Sequence, residues 1–273
     1  MQKNIQWQCK WSPTLGKLES THQKVWRTKK YTDNTIPTVF MGCYSFNDFI
    51  AIWEHKGRKA ILWCGSDIPR LINGYWLDEF GQQRVCAREI IEWLAKNCEN
   101  YVENKVEAEE LKSVGIKAKI VPSFLGDVNK FKINFIPGNK VYMSISGNDY
   151  GLYGWDLLPE LAQNNSQIEF HLYGNTGKPL KGKNIFDHGR VPKNQMNREI
   201  RNMQGALRLT QFDGFSEIIA KSVLMGQHPI SPFIYYPHTL KDVADILKKK
   251  KPNLKGRDYY RKILNRFPWN SKI

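Results

Sequence analysis

The sequence predicts an α/β chain in two domains, each built on a parallel β-sheet with helices on both faces. Apolar, β-rich runs alternate with amphipathic helical segments along the chain, and this alternation is typical of parallel sheets. It stops once, over residues 126–137, where the composition is mixed and Pro137 and Gly138 form a turn signal. A chain of 273 residues can hold two lean domains. We therefore expect two facing Rossmann-like domains joined by a linker at 126–137.

The first half contains the first series of strands and helices. Strands are expected at 38–44, 101–102 and 117–124, and the stretch 58–68 is expected to be a buried strand that runs into a Gly-Ser-Asp turn. Helices are expected after Ser45, at 84–97 and at 107–115. The spacing of Ser45 and Asp48 is typical of a capped helix start. Glu107, Glu109 and Glu110 are interpreted as a solvated helix face.

The second half restarts the same alternation. Strands are expected at 140–145, 168–174, 184–191, 205–212 and 228–233, and helices at 155–164, 193–203 and 217–225. The lysines from Lys248 to Lys251 are expected to close a short helix, where cations suit the helix dipole.

The net charge of +15 is concentrated at the two ends of the sequence. Residues 1–30 carry seven Lys or Arg against the single Glu19, and residues 241–273 carry eleven against three aspartates. If the ends meet in space, they form one basic surface that attracts a polyanion: DNA, RNA or an anionic membrane. The alternative is that these charges only serve solubility.

Several classes of protein are excluded or disfavoured by the sequence. No run of eighteen apolar residues predicts a membrane span, and the polar start has no signal-peptide core. Five cysteines without a C-x-x-C pair suit a reducing cytoplasm. The six histidines show no metal-ligand spacing, there is no Asp-x-Asp pair, and no phosphate-loop or dinucleotide fingerprint is present. We therefore expect a cytoplasmic protein without a metal or other cofactor.

The most informative segment covers residues 205–231. A strand is expected to end at Phe212, and Ser216 is expected to cap a helix that Gly226 terminates. A helix N-terminus after a parallel strand suits a phosphate, and Asp213 could accept hydrogen bonds from a polyhydroxy ligand. The alternative is that Asp213 and Gly214 form an ordinary turn.

This segment resembles the donor domain of retaining GT-B glycosyltransferases of the family-four type. The match is Asp213-Gly-Phe-Ser216 followed by Gly226 at the family's distance. Two further stretches support the resemblance, Phe170-His-Leu-Tyr-Gly174 and His188-Gly-Arg-Val-Pro192. It implies transfer of a sugar, with retention and without a metal, from a nucleotide-diphosphate sugar to an acceptor hydroxyl.

The resemblance also implies roles for residues. Asp213 would contact the transferred sugar, while the acidic position expected to hold the nucleotide ribose is Lys221, for which Glu217 could substitute. Asp67 is added as a third catalytic candidate because it follows a strand of the first domain. The donor-side candidates are Tyr173, Gly174, Lys178, Arg190, Val191, Arg208, Gly214, Phe215, Ser216 and Lys221. The acceptor-side candidates are Gly42, Tyr44, Ser66 and Asp67.

The resemblance implies a domain division as well. The first domain would cover 1–125 with a returning tail at 252–273, in which Tyr259, Tyr260, Ile263, Leu264 and Phe267 follow helical spacing, and the donor domain would cover 138–251. Size and charge also resemble those of bacteriophage enzymes that put sugars on hydroxymethylated bases of viral DNA, which would place the protein in an infected host cell. A lipid-linked or cell-surface polysaccharide precursor is the competing acceptor. Lys221 supports a third alternative, an inactive GT-B-like module that binds nucleic acid.

Overall fold

The computed structural model describes residues 6–16, 19–72, 87–233 and 236–270. Part of the helix predicted at 84–97 and the end of the predicted tail therefore lie outside the described residues. The chain divides into two units of similar size. The first comprises the described residues of Met1–Gly126, Asp213–Phe215 and Ile263–Ile273, and the second comprises Asp127–Phe212 and Ser216–Lys262.

The first unit is built on a six-stranded parallel sheet with the order β2-β1-β3-β4-β5-β6. Its strands are β1 (Gln8–Trp11), β2 (Lys29–Lys30), β3 (Thr38–Met41), β4 (Lys59–Leu62), β5 (Glu99–Val102) and β6 (Ala118–Ile120). The helices are α1 (Glu19–Trp26), α2 (Phe46–Trp53), α3 (Asp67–Ile72), α4 (Ala87–Asn97) and α5 (Lys105–Ser113). The sequence analysis did not predict β1, α1 and β2.

Side-chain capping fixes where two of these helices begin. The Ser45 hydroxyl accepts a hydrogen bond from the Asp48 amide, which confirms the predicted start of α2. At α5, Asn104 and Glu107 form a reciprocal capping box, so that this helix begins two residues earlier than predicted. The interpretation of Glu107 as solvated is wrong, because the capping box buries its side chain.

The second unit has a four-stranded parallel sheet with the order β10-β7-β8-β9. Its strands are β7 (Lys140–Gly147), β8 (Glu169–Asn175), β9 (Ile185–Asp187) and β10 (Gly205–Ala206). The helices are α6 (Tyr150–Tyr153), α7 (Leu158–Asn164), α8 (Lys193–Glu199), α9 (Glu217–Leu224) and α10 (Leu254–Ile263). The described residues of the two units also include short 3-10 helices. In the first unit they are Pro13–Leu15 and Pro268–Asn270, and in the second unit they are Val128–Lys130, Trp155–Leu157, Ile200–Asn202 and Val243–Lys248.

The strands predicted at 205–212 and 228–233 are wrong in extent. Only Gly205 and Ala206 form a strand, and Ile230 instead makes single parallel bridges to Leu207 and Leu240. The buried apolar residues of both stretches produce the strand-like pattern, but an irregular path replaces the regular ladder beyond Ala206. The strand predicted at 184–191 is likewise shortened to β9, since its last residues form a loop.

Each unit has its own apolar core. Alternate residues of β3 point to opposite faces of the first sheet, with Phe40 in one cluster and Val39 and Met41 in the other. The second cluster also includes Phe267 and Trp269 from the end of the chain. The core of the second unit packs around Trp155, which is fully buried. None of the described helices is both apolar enough and long enough to cross a bilayer.

Candidate functional site

Asp67 connects two loops at the carboxyl edge of the first unit's sheet. Its side chain is 0% exposed and accepts hydrogen bonds from the amides of Cys43, at 3.1 Å, and Cys64, at 2.9 Å. Burial raises the pKa of this carboxyl to about 6, although the amides act in the opposite direction. Both carboxylate oxygens are therefore used to hold the segments that follow β3 and β4.

The acceptor-side candidates lie in the same two loops but differ in exposure. Gly42 has a φ of 76°, and a Cβ at this position would overlap the ring of Tyr44. The Tyr44 hydroxyl donates to the Cys64 carbonyl at 2.6 Å, and burial raises its pKa far above the ordinary value. Ser66 is exposed. Of these candidates, Ser66 therefore offers a hydroxyl to solvent, while Gly42 and Tyr44 shape the loop.

The turn that contains Asp213 belongs to the first unit and is held by the residues that follow β5. The Asn104 amide group donates to the carbonyl oxygens of Asp213, at 2.9 Å, and Gly214, at 2.7 Å. The Phe215 amide donates to the carboxyl group of Glu103 at 2.9 Å. Three residues predicted from one motif are thus brought together with two residues that the sequence analysis did not select.

Burial dominates the electrostatics around this turn. It raises the pKa of Glu103 to about 8, and the charge of Asp213 adds to the increase. The pKa of Glu107 is also well above its ordinary value, because its carboxyl group is buried and lies close to Glu103. Burial therefore favours the protonated form of both carboxyl groups. The only sequence signal for this cluster was the spacing of Asn104 and Glu107, which fits a capping box.

Helix α9 follows this turn and begins at Glu217 in the second unit. Ser216 is the N-cap residue of α9, as predicted, but its hydroxyl accepts no hydrogen bond from the helix. Lys221 lies one turn after Glu217, and burial lowers its pKa, with Lys193 adding to the decrease and Glu217 opposing it. The first turn of α9 thus carries a carboxylate beside the backbone N–H groups of the helix start, and a partly desolvated amine follows in the next turn.

Tyr173 and Gly174 lie at the carboxyl end of β8, where both are packed against other residues of the second unit. Tyr173 is buried, stacks on the His188 ring at 4.6 Å between centroids and donates from its hydroxyl to Glu199. A Cβ at Gly174 would lie 2.2 Å from the Ile145 carbonyl oxygen, so the approach of β7 requires glycine. These two residues therefore shape the end of the strand.

The cationic candidates of the second unit differ from one another in their surroundings. Lys178 and Arg190 are exposed, whereas Arg208 is half-buried with its guanidinium 4.9 Å from the centre of the Tyr153 ring. Val191, next to Arg190, is half-buried. Asp187, which was not predicted, accepts hydrogen bonds from Asn175, Leu180 and Gly189 and so fixes the loops that carry Lys178 and Arg190.

Comparisons with known protein families and with curated proteins find no match. Solved structures do match. HepE of Anabaena, solved with UDP and glucose, is 9% identical with a TM-score of 0.58, and the match covers 94% of this chain and 95% of that one. A TarM variant of S. aureus, solved with UDP, fondaparinux and α-GlcNAc-glycerol, is 13% identical with a TM-score of 0.56 over 90% of this chain. Sucrose-phosphate synthase of Thermosynechococcus elongatus is 10% identical with a TM-score of 0.58.

The matches establish the class of fold. The chain has the GT-B fold of glycosyltransferases, with a parallel sheet of six strands in one Rossmann-like unit and of four strands in the other. It is shorter than several of the matched proteins, since it spans 55% of the TarM chain and 69% of the sucrose-phosphate synthase chain.

Proposed function

We propose that this chain is a glycosyltransferase that moves a sugar from a nucleotide-diphosphate sugar to an acceptor hydroxyl. The observation that carries the proposal is the placement of Asp213 in a hydrogen-bonded turn directly before α9, within a GT-B fold. The fold likeness to HepE, which was solved with UDP and glucose, extends over nearly all of both chains and supports the same donor class.

In the proposed reaction Asp213 contacts the sugar, and the N-terminus of α9 binds the diphosphate. A helix N-terminus suits an anion, because its first amides point along the helix axis and its dipole is positive at that end. Lys221 adds a cationic group at the place where the resembled family has a carboxylate, and Glu217 takes over contact with the ribose. Lys178, Arg190 and Arg208 supply further positive charge. Asp67 is left out of the catalytic set because backbone amides occupy its carboxylate.

The proposed chemistry proceeds through an oxocarbenium-like transition state with retention at the anomeric carbon. The bond from the sugar to the diphosphate breaks, the acceptor oxygen forms the new bond, and the acceptor proton leaves with the diphosphate. Charge on the leaving diphosphate is stabilised by fixed backbone dipoles and cations, which is the role a metal plays in other transferases. The lack of an Asp-x-Asp pair in the sequence favours this metal-independent route.

For the acceptor we propose a polyanion, with a hydroxymethylated base in DNA favoured. A cavity of about 610 Å³ in the second unit is lined by five lysines and His228. A lipid-linked or cell-surface polysaccharide precursor, with the cavity resting on anionic lipid, is the alternative. Mass spectrometry of hydroxymethylated DNA and of lipid-linked saccharides after incubation with mixed donors distinguishes the two.

Replacing Asp213 tests the proposed role of this residue. We expect Asp213→Asn to reduce transfer from a UDP-sugar at least 100-fold with little change in unfolding midpoint, since removing one group that stabilises the transition state costs about 3 kcal/mol. The measurement is release of UDP from a panel of UDP-sugars. Asp156→Asn, which neutralises an exposed carboxylate in the second unit, is the matched control and should keep wild-type rates.

Two outcomes would contradict the proposal. Wild-type turnover in Asp213→Asn would remove this residue from the mechanism. Release of no nucleoside diphosphate by the wild type, with or without DNA or lipid acceptors, would favour a second candidate, a GT-B-like binding module without catalysis. The presence of Lys221 at the position of the family's second acidic residue is the observation that favours this candidate.

A further inference from the structure

The turn Asp213–Phe215 is fixed by a small set of buried side chains that the proposed reaction does not itself use. Asn104 reaches two successive carbonyl oxygens of the turn, and Glu103 accepts the amide that follows them. These bonds join residues about 110 positions apart in the sequence. The two peptide groups on either side of Gly214 are therefore held by three hydrogen bonds.

The choice of asparagine at position 104 is informative. Its side-chain oxygen caps α5 by accepting the Glu107 amide at 3.0 Å, and serine, threonine or aspartate could do the same. Only an amide side chain also has two N–H groups left to donate, and both are used on the turn that carries Asp213. Capping alone does not explain this arrangement.

Glu103 has its own support. The Ser123 hydroxyl bonds one carboxyl oxygen, while the other accepts the Phe215 amide at 2.9 Å. The Glu107 carboxylate accepts the backbone amides of Glu103, at 2.8 Å, and Asn104, at 3.3 Å, and so fixes the backbone that carries both side chains. The side chains of Glu103, Asn104 and Glu107 are all buried. They can hold a defined geometry because their partners are fixed as well.

The fit leaves no room for a side chain at the centre of the turn. A Cβ on Gly214 would lie 2.0 Å from a carboxyl oxygen of Glu103, and a Cβ on Gly65 would lie 3.3 Å from the Gly214 amide. Gly65 also has a φ of 79°, which favours glycine at this position. Backbone and side chains therefore meet closely on two sides of Gly214.

We infer that Glu103 and Asn104 are positioning residues for Asp213, which fix the backbone of its turn and through it the direction of its carboxylate. This inference rests on the proposed function, in which Asp213 contacts the sugar. The two residues act through the turn and do not touch the substrate. A displacement of about 1 Å at a reacting group can cost on the order of 100-fold in rate.

The test is Asn104→Ser, which keeps a capping hydroxyl for α5 and removes both donors to the turn. We expect kcat for UDP-sugar turnover to fall about 10- to 100-fold while KM for the donor changes by less than about threefold, because the chemical step depends most on the direction of Asp213. Hydrogen exchange at the Phe215 amide should accelerate at the same time.

Asn184→Ser is the matched control. The Asn184 amide donates to the carbonyl oxygens of Ala162, Asn165 and Ile168, so that this substitution also removes donors to several backbone groups, but in the second unit. A structural effect alone would lower kcat equally in both variants. We expect the control to lose stability and to keep the wild-type kcat.

A second pair of variants covers the case in which Asn104→Ser does not fold. Glu103→Gln keeps an acceptor for the Phe215 amide and should retain activity at neutral pH, whereas Ser123→Ala removes one support of Glu103 and should lower kcat several-fold. An unchanged kcat in folded Asn104→Ser would overturn the inference alone. Failure of the wild type to turn over any donor would instead remove the proposed function, and rapid exchange of the wild-type Phe215 amide would show that the turn is not held.

Discussion

The protonation of Glu103 couples the stability of the first unit to pH. Burial and the charges of Asp213 and Asp67 raise its pKa from 4.5 to about 8, and the bonds from Ser123 and Phe215 oppose only part of this increase. The folded protein therefore retains a proton that the unfolded chain releases near its ordinary value. Glu107 and Asp67 shift in the same direction, since both carboxyls are buried.

The expected result is that the free energy of unfolding falls as the pH rises between about 4.5 and about 8. In this window the folded state binds more protons than the unfolded state, so each such group contributes a slope of up to about 1.4 kcal/mol per pH unit. Urea unfolding at pH 5.5, 7 and 8.5 measures this slope. Glu103→Gln, which cannot lose the proton, should flatten it, and a slope equal to that of the wild type would contradict the role given to Glu103.

For single residues, the sequence predicted the turn at Asp213 but not the two side chains that bond to it, Glu103 and Asn104. The motif at Asp213 was visible because local spacing carries it. Glu103 and Asn104 were not selected, because their partners lie about 110 residues away and no local pattern reveals such a contact. Glu107 was placed in solvent for a related reason, since a run of glutamates on a helix does not show that one of them turns back to cap it.

At the scale of elements, the last described turn of the chain completes the core of the first unit. Phe267 and Trp269 stack with ring centroids 5.0 Å apart, and both rings contact Trp26, which is fully buried. Trp269 also meets Tyr101 of β5 edge-on at 5.4 Å. The described residues from 263 to 270 are therefore an integral part of this unit.

We expect Trp269→Ala to destabilise the protein by about 3–5 kcal/mol, because the substitution removes a buried aromatic ring and leaves a cavity among rings that cannot close it. Thermal and urea unfolding measure the loss. Trp53→Ala is the control, since Trp53 is 54% exposed and should cost less than about 1 kcal/mol. Equal losses in the two variants would show that the rings around Trp269 do not form the core described above.

Strands were predicted with nearly correct ends where the apolar pattern in the sequence corresponds to a regular ladder of hydrogen bonds in the sheet. The alternation of strands and helices predicted the two parallel sheets, and β7 and β8 lie within two residues of their predicted ends. The stretches 205–212 and 228–233 failed because burial alone produced their apolar pattern, while their backbones pair only at single bridges. The segment containing β1, α1 and β2 was missed because β1 includes Gln8 and Lys10 and β2 consists of two lysines, so that neither strand has an apolar run.

Considered over the whole molecule, the basic side chains lie both around the cavity of the second unit and on exposed surface elsewhere in the chain. A polyanion could therefore be attracted by the cavity lysines in particular or by the net charge of the protein. Lys250, Lys251 and Lys255 are exposed and line the cavity of the second unit, where the His228 ring bonds the Lys251 carbonyl and orders the chain. Lys96, Lys117 and Lys119 are equally exposed but lie in the first unit. Reversing either set to glutamate lowers the net charge by six, from +15 to +9. The two triple variants therefore differ in the place of the change and not in its size.

If the cavity binds a polyanion, the Lys250, Lys251 and Lys255 variant should lose affinity for duplex DNA at least tenfold more than the Lys96, Lys117 and Lys119 variant. The salt dependence should also become shallower, by roughly 0.9 in the slope of log K against log salt for each phosphate that the protein no longer neutralises. Fluorescence anisotropy with labelled duplex between 50 and 300 mM salt measures both quantities. Co-sedimentation with vesicles that contain anionic lipid measures binding to a membrane surface, which is the alternative partner. Equal losses in the two variants would show that binding follows net charge and would remove the cavity as a docking site. A different result would be that the wild type does not bind DNA, while the Lys250, Lys251 and Lys255 variant loses binding to the vesicles. This result would favour a lipid-linked acceptor, because the same lysines would then face a membrane surface.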